Sequence, residues 1–247
     1  LIILFAIPLM LGNICQQLYT MVDTMIVGQV AGVEALAALG AVDFLMWVVT
    51  GVSTGLTQGF SIQLSQYYGA KDYENLRKSL AHSYRLTAFS AVGVFILSQS
   101  FASLVLTGLH TPSNIMGMSL LYLRIIFCGI PAASAYNMFA SALRAMGNSK
   151  TPLTAMIIAS VLNVVLDILF VAGFGWGVAG AAIATVIAQS FSAVYCFLIL
   201  RKIDIVHLSR TDFMPASGMN ACLMKLGIPV VFQNVIIGLG GLAVQYV

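Results

Sequence analysis

Read as a pattern of apolar and polar positions, the sequence is a succession of long charge-free windows. They run over 1–22, 44–70, 86–123, 125–143, 151–166, 168–200 and 226–247. A helix needs roughly 20 residues to cross the hydrocarbon of a bilayer. Lipid also forces backbone polar groups to pair within their own segment. The windows therefore predict helices over about 1–27, 36–68, 76–107, 115–146, 151–172, 176–200 and 221–247. The second, third and fourth outrun the hydrocarbon thickness and are expected to tilt or to project beyond it.

Composition fixes the class. Hydrophobic residues make up 60% of the 247 and charged residues only 8%, against about a quarter charged in a soluble domain. That deficit is too large for a water-facing surface, so the expected fold is an all-α, polytopic membrane helix bundle. Eleven basic and eight acidic residues give a net charge of +3, too sparse for a nucleic-acid face. The four cysteines, Cys15, Cys128, Cys196 and Cys222, match no metal spacing and read as small packing residues. The first residues have no basic n-region and no cleavage site, so they do not read as a signal peptide. Both ends lie inside apolar runs and read as truncated.

The basic residues give orientation. Lys71, Arg77, Lys78 and Arg85 follow the second segment, Arg144 and Lys150 the fourth, and Arg201, Lys202, Arg210 and Lys225 the sixth. The turns after the first, third and fifth carry no Lys or Arg. The positive-inside rule makes every second connection cytoplasmic, and the N-terminus with them. Arg124 is the exception and is expected to snorkel towards the outer surface.

A faint repeat adds topology. Ile7-Pro8 with Asn13 recurs as Ile228-Pro229 with Asn234, six helices later and in the same direction. Parallel repeats of this kind are related by an axis along the membrane normal. The expected organisation is a six-helix lobe over 1–205, a cytoplasmic interlobe linker over 206–220, and over 221–247 the first helix of a pseudo-symmetric second lobe whose remainder lies outside this sequence.

Two carboxylates sit where they are costly. Asp23 ends the first uncharged run, and Asp167 stands in Asn163-Val164-Val165-Leu166-Asp167. A charged Asp at a helix centre costs about 2.5–3.5 kcal/mol on insertion scales. Asn163 and Asp167 are four apart and share a helix face, and Thr185 adds a hydroxyl in the sixth segment. Oxygen ligands from Asp, Asn and Thr suit a hard cation, and a carboxylate pair equally suits a shared proton. The competing reading is that each Asp only meets water near the outer interface. Gly51, Gly55 and Gly59 recur at a spacing of four and predict a close helix–helix contact. Pro8 and Pro131 fall inside helices and are candidate kinks, Pro8 a hinge. Gln16, Gln17, Tyr122, Tyr136 and Asn137 are polar groups in apolar runs, each read first as an interhelical hydrogen bond. His82, His110 and His207 carry no assignment, and Lys71 to Lys78 reads as a solvated connection.

Five stretches carry a family resemblance: Ile7-Pro8, Val22-Asp23-Thr24-Met25-Ile26-Val27-Gly28, Gln66-Tyr67-Tyr68-Gly69-Ala70-Lys71, Ala142 to Pro152, and Gly175-Trp176-Gly177-Val178-Ala179-Gly180-Ala181-Ala182. In order and spacing they resemble the multidrug and toxic compound extrusion (MATE) family. The resemblance implies two six-helix lobes and a secondary active exporter. Its substrates would be organic, often cationic, drug-like compounds, exchanged for Na⁺ or H⁺ without a cofactor. It further implies a multi-pass plasma-membrane protein, expected as a monomer, whose partners are the bilayer and the rest of its own polypeptide. Residue by residue it assigns Asp23, Asn163, Asp167 and Thr185 to the cation or proton site (the Na⁺ ligands if Na⁺ is used), and Gln16, Tyr122 and Asn137 to the substrate cavity. One branch of the family places a glutamate about two turns after the second Ile-Pro. Here that region reads Val235-Ile236-Ile237-Gly238, and Val244 stands where the Asp23 carboxylate would repeat. Coupling is therefore expected in the first lobe. A lipid-linked oligosaccharide flippase of the same superfamily is the alternative, disfavoured by the lack of intramembrane basic residues other than Arg124. An intramembrane enzyme would need clustered His, Cys or Ser chemistry that the sequence does not show. A passive channel remains open.

Overall fold

The computed structural model describes the backbone over residues 2–214 and 218–245, and side chains over 10–238 except 44 and 215–217. The eight long helices are α1 (Ile2–Val30), α2 (Val33–Gly69), α3 (Tyr73–Gly108), α4 (Ser113–Cys128), α5 (Ile130–Ala145), α6 (Lys150–Asp167), α7 (Gly177–Arg201) and α8 (Met219–Gln245). No strand occurs among the described residues. Large apolar side chains are exposed along the outside, Phe89, Val92, Ile96, Leu104 and Val161 among them. An apolar surface this extensive suits contact with lipid. Four described helices are long and apolar enough to cross a membrane, or six when two bent pairs are each counted as one span. The protein is an integral, multi-pass, all-α membrane bundle.

The expected fourth helix, 115–146, is not continuous. It breaks at Gly129 into α4 and α5, bent by 46°. Pro131 has no N–H to bond the carbonyl one turn back, and its ring crowds that turn. Gly129 itself packs against α7, where a Cβ would lie 2.7 Å from Val186 Cγ2. The third helix begins at Tyr73 rather than 76. Asp72 caps it by accepting from the Asn75 backbone N–H at 3.2 Å, so most of the charged 71–78 stretch is helix and not connection. Between α1 and α2 only two residues turn the chain, and Gly32 there adopts φ +90°, a conformation other residues resist. Pro8 lies in the early turns of α1, outside the residues whose side chains are described, as does Val244 in α8.

α7 is the hub, packed on α4, α5 and α6, and α1 lies along α6. Small residues allow it: Ala181, Ala182 and Ala184 are fully buried. Two apolar clusters divide the interior. One gathers Val27, Leu123, Phe127, Val171 and Val178, and the other gathers Phe60, Leu64, Leu143, Cys196 and Leu200 towards the end that carries the basic residues. Cys196 is a packing residue as expected, whereas Cys128 and Cys222 are exposed and pack little. α8 lies along α2, and the glycine stripe is what lets it. A Cβ at Gly55 would stand 2.7 Å from Val231 Cα, Gly59 meets the backbone of Gly227, and Gly51 faces Asn234.

Candidate functional site

The cluster is assembled from α1, α6 and α7. In α1, Gly12, Asp23 and Val27 are buried while Leu18, Met21 and Val22 are exposed. The inward face therefore carries Asp23. Gly12 packs against Met156 of α6, which draws the two helices together. In α6, buried Pro152, Ala155, Ala159, Asn163 and Asp167 form one stripe at three- and four-residue spacing. The stripe puts Asn163 and Asp167 on the face that meets α1 and α7.

Asp23, Asn163, Asp167 and Thr185 are all buried, Asp167 completely. The carboxyl groups of Asp23 and Asp167 face each other within hydrogen-bonding reach. Asn163, with its amide turned so that both ends find partners, donates from Nδ2 to Asp167 Oδ2 at 3.0 Å. Its oxygen accepts from the Thr185 backbone N–H at 3.2 Å. The opposite orientation would aim the amide oxygen at a carboxylate, acceptor against acceptor. Asp23 Oδ1 and Asp167 Oδ1 are buried with no donor in reach. Two buried carboxylates near each other, each with an oxygen that lacks a donor, are costly when both are charged. A proton between them removes that cost, and so does a small cation. No group of three or more His, Cys, Asp or Glu suited to a metal occurs among the described residues, so a transition-metal centre does not fit this set. Two carboxylates with an amide and a hydroxyl fit a hard monovalent cation.

Two features escaped sequence reasoning. Tyr19 lies one turn before Asp23 on the same face of α1, and its phenol sits in the field of Asp23 and Asp167. Its spacing of four from Asp23 was the signal. The other is the end of α6, which continues as a π-helical turn over Ile168–Gly173, directly after Asp167. Such turns insert an extra residue into the helical ladder and often occur at functional positions. Phe170 from this turn stacks on Trp176 at 5.2 Å and seats against Gly180 of α7. The aromatic contact thus fixes α6 to α7 on the non-basic side of the carboxylates.

The other cavity candidates divide. Tyr122 of α4 is buried in the field of Asp23 and Asp167. Gln16 is exposed and Asn137 half-buried, and neither side chain makes a hydrogen bond among the described residues. Arg124 is exposed. No basic side chain pairs with Asp23 or Asp167 among the described residues.

Comparison with known proteins gives one consistent neighbourhood. The MatE family model matches residues 8–169. The chain is 34% identical over 251 residues to the probable multidrug resistance protein YpnP of Bacillus subtilis, with 100% of this chain and 55% of that protein covered. It is 23% identical to the multidrug export protein MepA of Staphylococcus saprophyticus, with 98% and 54% covered. Among solved structures it is similar to a MATE crystal structure in a bent conformation, with TM-score 0.87, 26% identity, 93% of this chain and 52% of that one covered. The chain spans about half the length of the curated relatives it matches.

Proposed function

The chain belongs to the MatE family, and we propose that it forms the first lobe of a secondary active multidrug exporter that exchanges organic, often cationic, compounds for Na⁺ or H⁺. The observation that carries this reading is the facing pair Asp23 and Asp167, each with a buried oxygen that lacks a donor. The relatives' names as multidrug resistance and export proteins support the substrate class.

In this mechanism Asp23 and Asp167 take up a proton or Na⁺ from the non-basic end, which the positive-inside rule places outside. Asp23 lies seven residues before the end of α1, about 10 Å along the helix, so the ion has a short path. Asn163 orients Asp167 by its hydrogen bond, and Thr185 supplies a neutral oxygen. Occupancy removes the repulsion between the carboxylates and lets α1 settle against α6. An ion shifts a two-state equilibrium only by binding one state better, and the geometry of this pair depends on how α1 lies on α6. Organic cations leave the lobe cavity as that packing changes.

Membership of the same superfamily leaves a lipid-linked oligosaccharide flippase as the rival reading. A pyrophosphate cargo calls for basic groups at the site, and none bonds to its oxygens among the described residues. The test is transport by the full-length protein in proteoliposomes with Na⁺ and pH gradients imposed separately. Efflux of a fluorescent organic cation driven by either gradient supports the exporter. Efflux that follows the substrate gradient alone, with both ion gradients collapsed, means a passive channel.

A further inference from the structure

His82 belongs to no motif, yet it is one of the most buried polar side chains, only 1% exposed. It lies on α3, ten residues in, and binds two segments far away in sequence. Its Nε2 is 3.1 Å from the Met214 carbonyl oxygen and its Nδ1 is 2.7 Å from Asn220 Oδ1. Met214 follows the short 3₁₀ turn Arg210–Phe213 between α7 and α8, and Asn220 is in the first turn of α8.

The neighbouring bonds show that this stretch is strapped to α3. Arg85 donates to the Phe213 carbonyl at 3.1 Å, and Arg77 pairs with Asp212 at 4.0 Å. Asp212 is held by Ser209, whose backbone N–H donates to it at 2.7 Å. From α2, Gln63 donates to Met219 Sδ at 3.4 Å. Every tie falls at the basic end of the bundle. There the contact between α2 and α8 is also tightest, at Gly59 and Gly227, and it relaxes towards Gly51, where a Cβ would lie 3.6 Å from Asn234 Cβ.

We propose that His82 is a positioning residue for alternating access, a latch that fixes the start of α8 to α3 and holds the basic end of the α2–α8 seam closed. The proposal rests on the transport reading above. A rocking transporter must separate its lobes at one end and then at the other. Opening the basic end parts α8 from α2 only if the Nδ1 bond to Asn220 is released. The Met214 carbonyl can only accept, so Nε2 carries a proton. The Asn220 amide can offer its NH₂ to a neutral ring or its oxygen to a charged one.

The test uses the full-length protein with its native cysteines replaced, carrying Gln63→Cys and Met219→Cys at the basic end, where the two side chains meet at 3.4 Å. The rate at which a short bifunctional thiol reagent bridges them reports how long that end of the seam stays closed. His82→Ala and Asn220→Ala are each expected to slow bridging by about 3–10-fold. His82→Asn, which keeps a polar atom at the Nδ1 position, restores the rate. His82→Gln, which keeps one near the Nε2 position, does not. Bridging at the unchanged rate in both alanine variants overturns the latch, and so does rescue by Gln in place of Asn. Should His82→Ala not fold, Asn220→Ala decides, since Asn220 is exposed. Bridging requires neither substrate nor ion gradient. Slowed bridging in a protein that exports nothing would sink the transport reading, and the role in alternating access with it, and leave standing only the tie of α8 to α3.

Discussion

The Asn163 amide donates to Asp167 Oδ2 at 3.0 Å, one turn further along the same helix, while its oxygen takes the Thr185 backbone N–H at 3.2 Å. One side chain thus aims the α6 carboxylate and ties α6 to α7. A hydrogen bond to a charged group contributes about 1.5–3 kcal/mol. Asn163→Ala is therefore expected to move half-saturation by roughly 10–100-fold, to higher Na⁺ because a group that orders the site is lost, and to lower proton concentration because the lost donor had favoured the charged carboxylate. The bundle should still fold, because the Phe170–Trp176 contact also joins the two helices. Initial export rates titrated against Na⁺ and against pH would show the shift, and an unchanged half-saturation would remove Asn163 from the site.

The α2–α8 seam makes a sharper prediction for stability. Gly55→Ala places a methyl 2.7 Å from Val231 Cα, a backbone atom that cannot swing aside. Overpacking of this kind costs about 1–3 kcal/mol. Gly93, on α3, has nothing within 4 Å of a built Cβ, and alanine there is expected to be neutral or to stabilise by up to about 1 kcal/mol. Thermal unfolding of both variants of the full-length protein in detergent separates them. Equal melting temperatures would mean that α8 does not pack on α2 as described.

Much of this was legible in the sequence, for physical reasons. Charge-free windows found the helices because lipid tolerates little else. The stripe from Gly51 to Gly59 announced a close contact, though not that its partner is α8. Spacing put Asn163 and Asp167 on one face, but nothing in the sequence placed that face against Asp23. That depends on Gly12 letting α1 approach α6. The break at Gly129 was only half visible: Pro131 marked a kink, whereas the contact with Val186 is tertiary. His82 was illegible, because its partners lie 132 and 138 residues away.

The cap of α3 gives a pH prediction outside the membrane. Asp72 accepts from the Asn75 side chain and then from its backbone N–H, and these bonds hold its carboxyl below the usual carboxylate range. A carboxyl whose value is lowered on folding stabilises the fold above its unfolded value, about 3.9. That contribution fades as pH falls through the lowered folded value. Asp72→Ala should therefore melt lower than the parent at neutral pH, with the gap narrowing as pH is taken well below 4. A gap that stays constant with pH would mean that the cap does not depend on the charge.

The account turns on Asp23. The most direct measurement is efflux of an organic cation from proteoliposomes containing the full-length protein with Asp23→Asn, under Na⁺ and pH gradients imposed separately. Asparagine keeps the size and the polarity but neither the charge nor the shared proton. The variant is expected to insert and fold like the parent and to lose gradient-driven efflux under both conditions. Gradient-driven efflux at the parent's rate would contradict the assignment of Asp23 and Asp167 as the coupling site.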